Sequence, residues 1–305
     1  MLMLLLTAII SGCAKSGRDT AAAPPSFGTP DEAVAALIGA VERRDVTALQ
    51  SLLGPQAAGL ISSGDDVADA TARDTFLQRY KAYHELVAGS PKDLILLVGE
   101  DRWPLPIPIV QQGGRWMLDG RAGVEELLLR RVGANELRTI SVMHGFVAAQ
   151  NDYAASAHDG NSPGVFARRL RSTPGKHDGL YWEVAPGEAL SPAGPLLAAA
   201  SSEGYNTVTS GSHMPYHGYL YRMLGSQGPA ADSGARDYLV DGQSTGGFAL
   251  LAYPDSYGAS GVMTFMVNQD GVIWQRDLGK DTADAAQAIQ QFNPDEHWTP
   301  LAPEA

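Results

Sequence analysis

Cysteine and positive charge are both scarce in this sequence. A single cysteine occurs among 305 residues, which excludes an internal disulfide and any zinc site built from several cysteines. Lys and Arg number 22 against 34 Asp and Glu, giving a formal net charge of -12. Because so acidic a protein repels phosphate backbones, we expect no nucleic-acid partner.

The apolar run at residues 2–10, LMLLLTAII, is too short for a transmembrane helix, which needs about 20 residues. Ser11, Gly12 and Cys13 follow it, and this small-residue pattern before a cysteine resembles a lipobox. The resemblance implies lipidation of Cys13 and anchoring to a membrane through that lipid. No Lys or Arg precedes the run, although signal peptides usually begin with a basic region. Ala14 after the cysteine resembles the sorting pattern of outer-membrane lipoproteins, so we expect a bacterial envelope protein facing the periplasm.

Composition divides the chain into four segments. Residues 1–13 form the expected signal peptide, and the small, polar, Pro-bearing residues 14–28 are typical of a flexible tether. We predict a small α+β domain at 29–133 and a second α+β domain at 134–305.

Residues 29–133 show helix signals first and strand signals later. Thr29 and Pro30 suit the N-cap and first position of a helix. We predict further helices at 45–53, 73–87 and 123–131, and the helix at 73–87 has Phe76, Leu77, Tyr80 and Tyr83 on its buried side. Strands are predicted at 94–98 and 115–118, with a hairpin turn at Gly113-Gly114, and the proline-bearing residues 103–110 are expected to form an edge strand or an extended arm. This order is similar to the cone-shaped domains of the nuclear transport factor 2-like superfamily.

Residues 134–305 open with one long predicted helix, 135–157, whose apolar face is expected to contain Leu137, Ile140, Val147 and Ala148. We predict a short helix at 166–170, a closing helix at 281–291, and strands at 218–224, 237–240, 247–253, 262–267 and 272–275. A long helix packed on an antiparallel sheet resembles the globular part of type IV pilins and pseudopilins, without their hydrophobic filament-forming helix. The fold class predicted for the whole chain is α+β.

Several longer segments resemble the bacterial domain of unknown function family 2950. They include RWPLPIPIV, GRWMLDGRAGVEELLLRRVGANEL, PYHGYLYRMLGSQGPA, GGFALLAYPDSYGASGVMTF and NQDGVIWQRDLGKDT, within residues 102–282. The resemblance implies an exported protein and brings no activity with it.

Gly242-Gln-Ser-Thr-Gly246 fits the G-x-S-x-G pattern of a hydrolase nucleophile elbow. Ser244 would be the nucleophile and His217 the base to test first. An elbow requires a helix after the serine, whereas the apolar run after Gly247 is typical of a strand. A hairpin turn between two strands accounts for the same residues.

His213 and His217 are four residues apart, a spacing that allows two zinc ligands on a helix. Pro215 argues against a helix there, so a loop entering a strand is the alternative. The sequence has neither a Walker A loop nor a G-x-G-x-x-G motif, and we expect no cofactor.

The sequence thus favours a non-catalytic envelope lipoprotein that acts as an interaction or scaffold protein for an unidentified envelope partner. One alternative is a periplasmic serine hydrolase using Ser244. Another is a lipoprotein that binds a small apolar ligand in a cone-like pocket near Trp103 and Trp116.

Overall fold

Helices form the first part of the structure, a computed structural model that describes residues 24–90, 93–185, 187–205 and 214–302. They are α1 (Pro30–Arg43), α2 (Val46–Leu53), a 3-10 turn at Pro55–Ala57, α3 (Ala58–Ile61) and α4 (Asp66–Ala82). Thr29 caps α1 by accepting a bond from the Glu32 amide at 3.2 Å, and Pro30 follows it as predicted. Cys13 and His213 lie outside the described residues.

An antiparallel sheet follows the helices. Its strands are β1 (His84–Ser90), β2 (Asp93–Val98), β3 (Trp103–Pro104), β4 (Ile109–Gln112) and β5 (Arg115–Leu118), in the order β1-β2-β4-β5 with β3 also paired to β2. Gly113 and Gly114 both have positive φ and form the predicted hairpin turn between β4 and β5. Side chains of α1 and α2 pack on one face of this sheet and form the first core.

The prediction of one helix over residues 73–87 is wrong at both ends. Asp65 caps α4 much earlier, and Tyr83 is already extended. Residues 84–87 instead pair with β2, with His84 opposite Val98 and Leu86 opposite Leu96. The expected buried side of α4 is only half-buried at Phe76, Leu77 and Tyr80, and Asp69 is the buried residue of this helix.

A single helix of 35 residues, α5 (Gly120–Ala154), replaces the two helices predicted on either side of residue 133. Glycine at position 133 lowers local helix propensity by about 1 kcal/mol relative to alanine. Buried residues on both sides, Val132 and Asn135, stabilise the helix through this point. The Asn135 amide also donates to the Ser260 carbonyl at 2.9 Å. These tertiary contacts therefore outweigh the low helix propensity of Gly133.

The second half packs the end of α5 against another antiparallel sheet. Its elements are α6 (Gly194–Ser202), β6 (Tyr219–Leu224), β7 (Ser226–Gln227), β8 (Arg236–Asp237), β9 (Ala249–Pro254), β10 (Met263–Asn268), β11 (Ile273–Asp277), α7 (Thr282–Ala288) and β12 (Thr299–Pro300). The sheet order is β12-β11-β10-β9-β6, and β7 pairs separately with β8. The face of α5 that enters this core consists of Met143, Phe146, Ala149 and Tyr153.

Three predictions in this half are wrong, and the first is the strand at 237–240, because β8 ends at Asp237. The expected apolar face of the long helix included Leu137, which is 68% exposed, and Ala148, which is also exposed. The short helix at 166–170 does not form, because its backbone groups bond elsewhere: the Phe166 amide donates to the Ser244 carbonyl, and both backbone groups of Ala167 bond the Gln150 side chain. The sequence reading also missed α6, which lies between Gly- and Pro-bearing segments.

The α+β fold class is confirmed. Among helices within the described residues, none has both the length and the apolar character needed to cross a bilayer.

Candidate functional site

Ser244 follows a tight turn between β8 and β9, two strands of different sheets, rather than a nucleophile elbow. Val240 and Gln243 exchange backbone hydrogen bonds of 2.8 and 2.9 Å, and Asp241 and Gly242 between them have φ of 50° and 82°. Two positive φ values are typical of the type I′ turn that connects antiparallel strands. The chain after Ser244 continues into β9, so the helix required by an elbow is replaced by a strand.

His217 lies at the opposite end of the β6-β9 pair from Ser244. The strands are antiparallel, with Tyr219 opposite Pro254 and Leu224 opposite Ala249. His217 precedes Tyr219, whereas Ser244 precedes Ala249, so the length of β9 separates them. At about 3.4 Å per residue that length is about 17 Å. The structure therefore does not bring this serine and histidine together as nucleophile and base.

The His217 imidazole packs among polar groups of the second half. Its Nε2 lies 3.4 Å from the Glu203 carboxylate, and its ring centroid is 4.0 Å from that of Tyr216. Burial lowers the pKa of His217, and the Glu203 carboxylate opposes this effect. Within the described residues, no group of three or more His, Cys, Asp or Glu side chains is arranged to hold a metal ion.

The first half contains a cavity of about 520 Å³ between its helices and β3. Most of its lining is apolar and comes from every helix of this half, from β3 and from the segment after it: Leu37, Val41, Val46, Leu49, Leu53, Leu60, Ile61, Ala68, Ala72, Phe76, Trp103, Leu105, Ile107, Leu127 and Ala134. Ala72 of α4 and Ala134 of α5 are both exposed. Val46 of α2 also lines the cavity and is 48% exposed, so the cavity opens to solvent between these three helices.

The structure separates the two tryptophans proposed as ligand contacts. Trp103 lines the cavity, and the Arg130 guanidinium lies 5.6 Å from its ring centroid. Trp116 instead exchanges backbone hydrogen bonds of 2.7 and 2.9 Å with Phe27 at the edge of the first sheet. Phe27, which belongs to the segment predicted as a flexible tether, is therefore paired with the first sheet.

Arginines dominate the charged lining of the cavity, a feature that the sequence analysis missed. Five arginines and one carboxylate line it: Arg44, Arg73, Arg79, Arg131, Arg138 and Asp69. Arg131 and Arg138 are seven residues apart, a spacing that places them on one face of a helix and was visible in the sequence. Arg73 lies 58 positions before Arg131, so only the fold brings them together.

Arg131 and Asp69 form a buried network that supports the wall of the cavity. Arg131 donates to the carbonyls of Gly59 and Leu60, both at 2.7 Å, and its guanidinium lies 3.6 Å from the Asp69 carboxylate. Burial lowers the pKa of Arg131, while Asp69 raises it. Asp69 also accepts bonds from the Ser63 amide and hydroxyl at 2.8 and 2.9 Å. Both charges are therefore satisfied within the protein.

Asp65 connects the cavity region to the second half. One carboxylate oxygen caps α4 by accepting from the Ala68 amide at 2.9 Å. The other accepts from the Tyr205 hydroxyl at 2.9 Å and from the Gly218 amide at 2.8 Å. Burial and the neighbouring Asp65 charge raise the pKa of Tyr205. The helix that carries Arg73 is thus held at its start by the second half.

A larger depression of about 650 Å³ lies between Gly59 and the loop after β9. Its lining includes Asp255, Ser256, Lys280 and Thr282, with few large apolar side chains. It offers less apolar area to a ligand than the arginine-lined cavity does.

A family described as protein of unknown function (DUF2950) matches residues 25–301, which include both halves and the cavity. The chain belongs to this family. No curated protein and no solved structure matched this DUF2950 chain. The likenesses of its two halves to nuclear transport factor 2-like domains and to pilins stay predictions.

Proposed function

We propose that this DUF2950 protein binds a small apolar ligand in the cavity of its first half. The observation that carries the proposal is an apolar space of about 520 Å³ with an opening to solvent. Ligand pockets of proteins typically measure about 300 to 1,000 Å³ and combine apolar walls with a few polar groups.

The incomplete burial of α4 supports a ligand as well. This helix has 17 residues, yet its buried residue is a carboxylic acid, Asp69. Phe76 lines the cavity and is only half-buried. An apolar occupant would cover this ring and remove further apolar surface from water, which is favourable in proportion to the area covered.

The lipobox at Cys13 would place this binding protein at a bacterial membrane, facing the periplasm if the outer-membrane pattern holds. Cys13 and the segment around it lie outside the described residues, so this location remains a proposal from the sequence. The scaffold role with an envelope protein partner also stays a prediction, and a ligand cavity is compatible with it. For a hydrolase using Ser244, the separation from His217 removes the base that the sequence suggested.

Titration with the neutral fluorophore N-phenylnaphthylamine tests the proposed function. The protein is the purified full chain carrying Cys13→Ala, so that no acyl chain of its own competes. We expect saturable fluorescence enhancement that Ala72→Trp abolishes, because Ala72 lines the opening of the cavity and is exposed. Thr71→Trp is the matched control: it adds the same side chain at the adjacent exposed position, which does not line the cavity. Equal binding by both variants would refute a ligand in this cavity.

A further inference from the structure

The charge of the cavity is opposite to the charge of the protein. The chain has a net charge of -12, but five of its 22 Lys and Arg residues line the cavity against one of its 34 Asp and Glu residues. In an acidic protein, such a concentration of arginine favours a ligand that carries negative charge.

Protein carboxylates neutralise only some of these arginines. Arg131 is paired with Asp69, and Arg79 is paired with Asp101. Among the residues that the structure describes, no carboxylate lies within 4.0 Å of the guanidinium nitrogens of Arg44, Arg73 or Arg138. These three arginines are therefore available to an anion.

Arg73 is the most distinctive of the three. Its Nε is enclosed, and within the described ranges it has no hydrogen-bond partner. An enclosed N–H without an acceptor is unfavourable, and most such groups in native proteins are satisfied. A guanidinium presents its donors in a planar fork that matches a carboxylate or a phosphate. An anion bound in the cavity would pair with the Arg73 guanidinium, and because Nε is enclosed, Nε would donate to it only after the side chain shifts.

We propose that the ligand is a single-chain anionic amphiphile, with its chain against the apolar wall and its head group on Arg73. This inference rests on the proposed function and adds the chemical class of the ligand. The apolar lining disfavours a small polar anion alone, because such an ion leaves that wall uncovered. The unpaired arginines disfavour a neutral hydrocarbon, which would bring no negative charge to Arg44, Arg73 or Arg138.

Displacement of N-phenylnaphthylamine by three competitors tests the assignment in the Cys13→Ala full chain. Dodecanoate has both the chain and the anion, dodecanol has the chain alone, and acetate has the anion alone. We expect dodecanoate to displace the fluorophore at a concentration about tenfold or more below that of dodecanol, and acetate not to displace it. Dodecyl phosphate, run in parallel, reports whether the head-group preference is for carboxylate or phosphate; displacement by either below the dodecanol concentration supports the proposal.

Arg73→Gln removes the charge and should lower the dodecanoate preference over dodecanol by about tenfold to a hundredfold. Arg73→Lys should retain part of it, because the charge remains without the planar fork. Arg121→Gln is the matched control, since Arg121 is exposed on α5 and does not line the cavity. It should leave the preference unchanged. Fluorophore binding by each variant verifies that the cavity still forms.

The outcomes separate the two proposals. If neither dodecanoate nor dodecyl phosphate displaces the fluorophore at a lower concentration than dodecanol, or if the preference survives Arg73→Gln, the anionic assignment is overturned and apolar binding is left intact. If the fluorophore does not bind, or binds equally to Ala72→Trp, the cavity function itself is refuted.

Discussion

Substituting Asp65 with alanine removes a side chain that caps α4 and also bonds the second half of the protein. Its carboxylate is 1% exposed and accepts hydrogen bonds from the amides of Ala68 and Gly218 and from the Tyr205 hydroxyl. Tyr205 is itself buried, with 8% of its surface exposed. Water therefore cannot readily replace the lost oxygens.

The expected loss of stability is large for one substitution. Removing an N-cap costs about 1 kcal/mol. Leaving a buried donor unsatisfied costs about 1 to 2 kcal/mol, and the substitution strands two of them, on Tyr205 and Gly218. We expect Asp65→Ala to lower the free energy of unfolding by about 3 to 5 kcal/mol.

Urea unfolding followed by tryptophan fluorescence and by circular dichroism measures this change. Asp66→Ala is the matched control, because Asp66 is exposed in the first turn of α4 and should contribute about 0.3 to 1 kcal/mol through the helix dipole. If Asp65→Ala costs no more than Asp66→Ala, the connection between the two halves does not stabilise the protein and this reasoning is wrong.

Three further predictions concern the backbone, the pH dependence and the anchor. Gly120→Ala should destabilise the protein, because the added Cβ would collide with the α2 backbone. Gly133→Ala should stabilise α5 by about 0.4 to 1 kcal/mol, because its Cβ would meet no atom within 4 Å. Thermal melting of the two variants measures both effects. Burial lowers the pKa of His217 in the folded state, so below about pH 6.5 the unfolded chain binds more protons and the free energy of unfolding should fall. His217→Asn should reduce this pH dependence in urea titrations, because asparagine adopts the positive φ of this position without a titrating side chain. Cys13→Ala should abolish incorporation of radiolabelled palmitate in cells, and equal labelling of the wild type and this variant would refute lipidation of Cys13.

Local signals in the sequence were sufficient for several elements. Thr29 and Pro30 predicted the start of α1, and Gly113-Gly114 predicted the hairpin between β4 and β5. Each depends on neighbours in the chain, through a cap or a turn with positive φ. The expected turn before Ser244 forms for the same reason, but the flanking strands β8 and β9 lie in different sheets, so the predicted hairpin between two paired strands does not form.

Tertiary contacts decided the elements that sequence reasoning missed. Gly133 indicates an interruption locally, but α5 is stabilised on either side of it by buried residues. Residues 166–170 have helical composition, yet Gln150, from the distant α5, takes both backbone groups of Ala167. No local pattern contains information about such partners.

The candidate site was only partly predictable. Trp103 was proposed as a ligand contact and lines the cavity, whereas Trp116 pairs with Phe27 at the sheet edge. Large aromatic side chains alone do not show which of them faces a cavity. The arginines of α4 and α5 converge only after both helices pack, so their shared charge could not be read from either helix.

Photocrosslinking of the purified full chain carrying Cys13→Ala tests the ligand cavity most directly. The probe is a dodecanoate analogue with a diazirine at the end of its chain, and mass spectrometry locates the modified peptides. We predict modification at α4 and α5 around Phe76 and Leu127, which both line the cavity, and its suppression by excess dodecanoate. Labelling that excess dodecanoate does not suppress, or that falls on the second sheet instead, would contradict a ligand site between these helices.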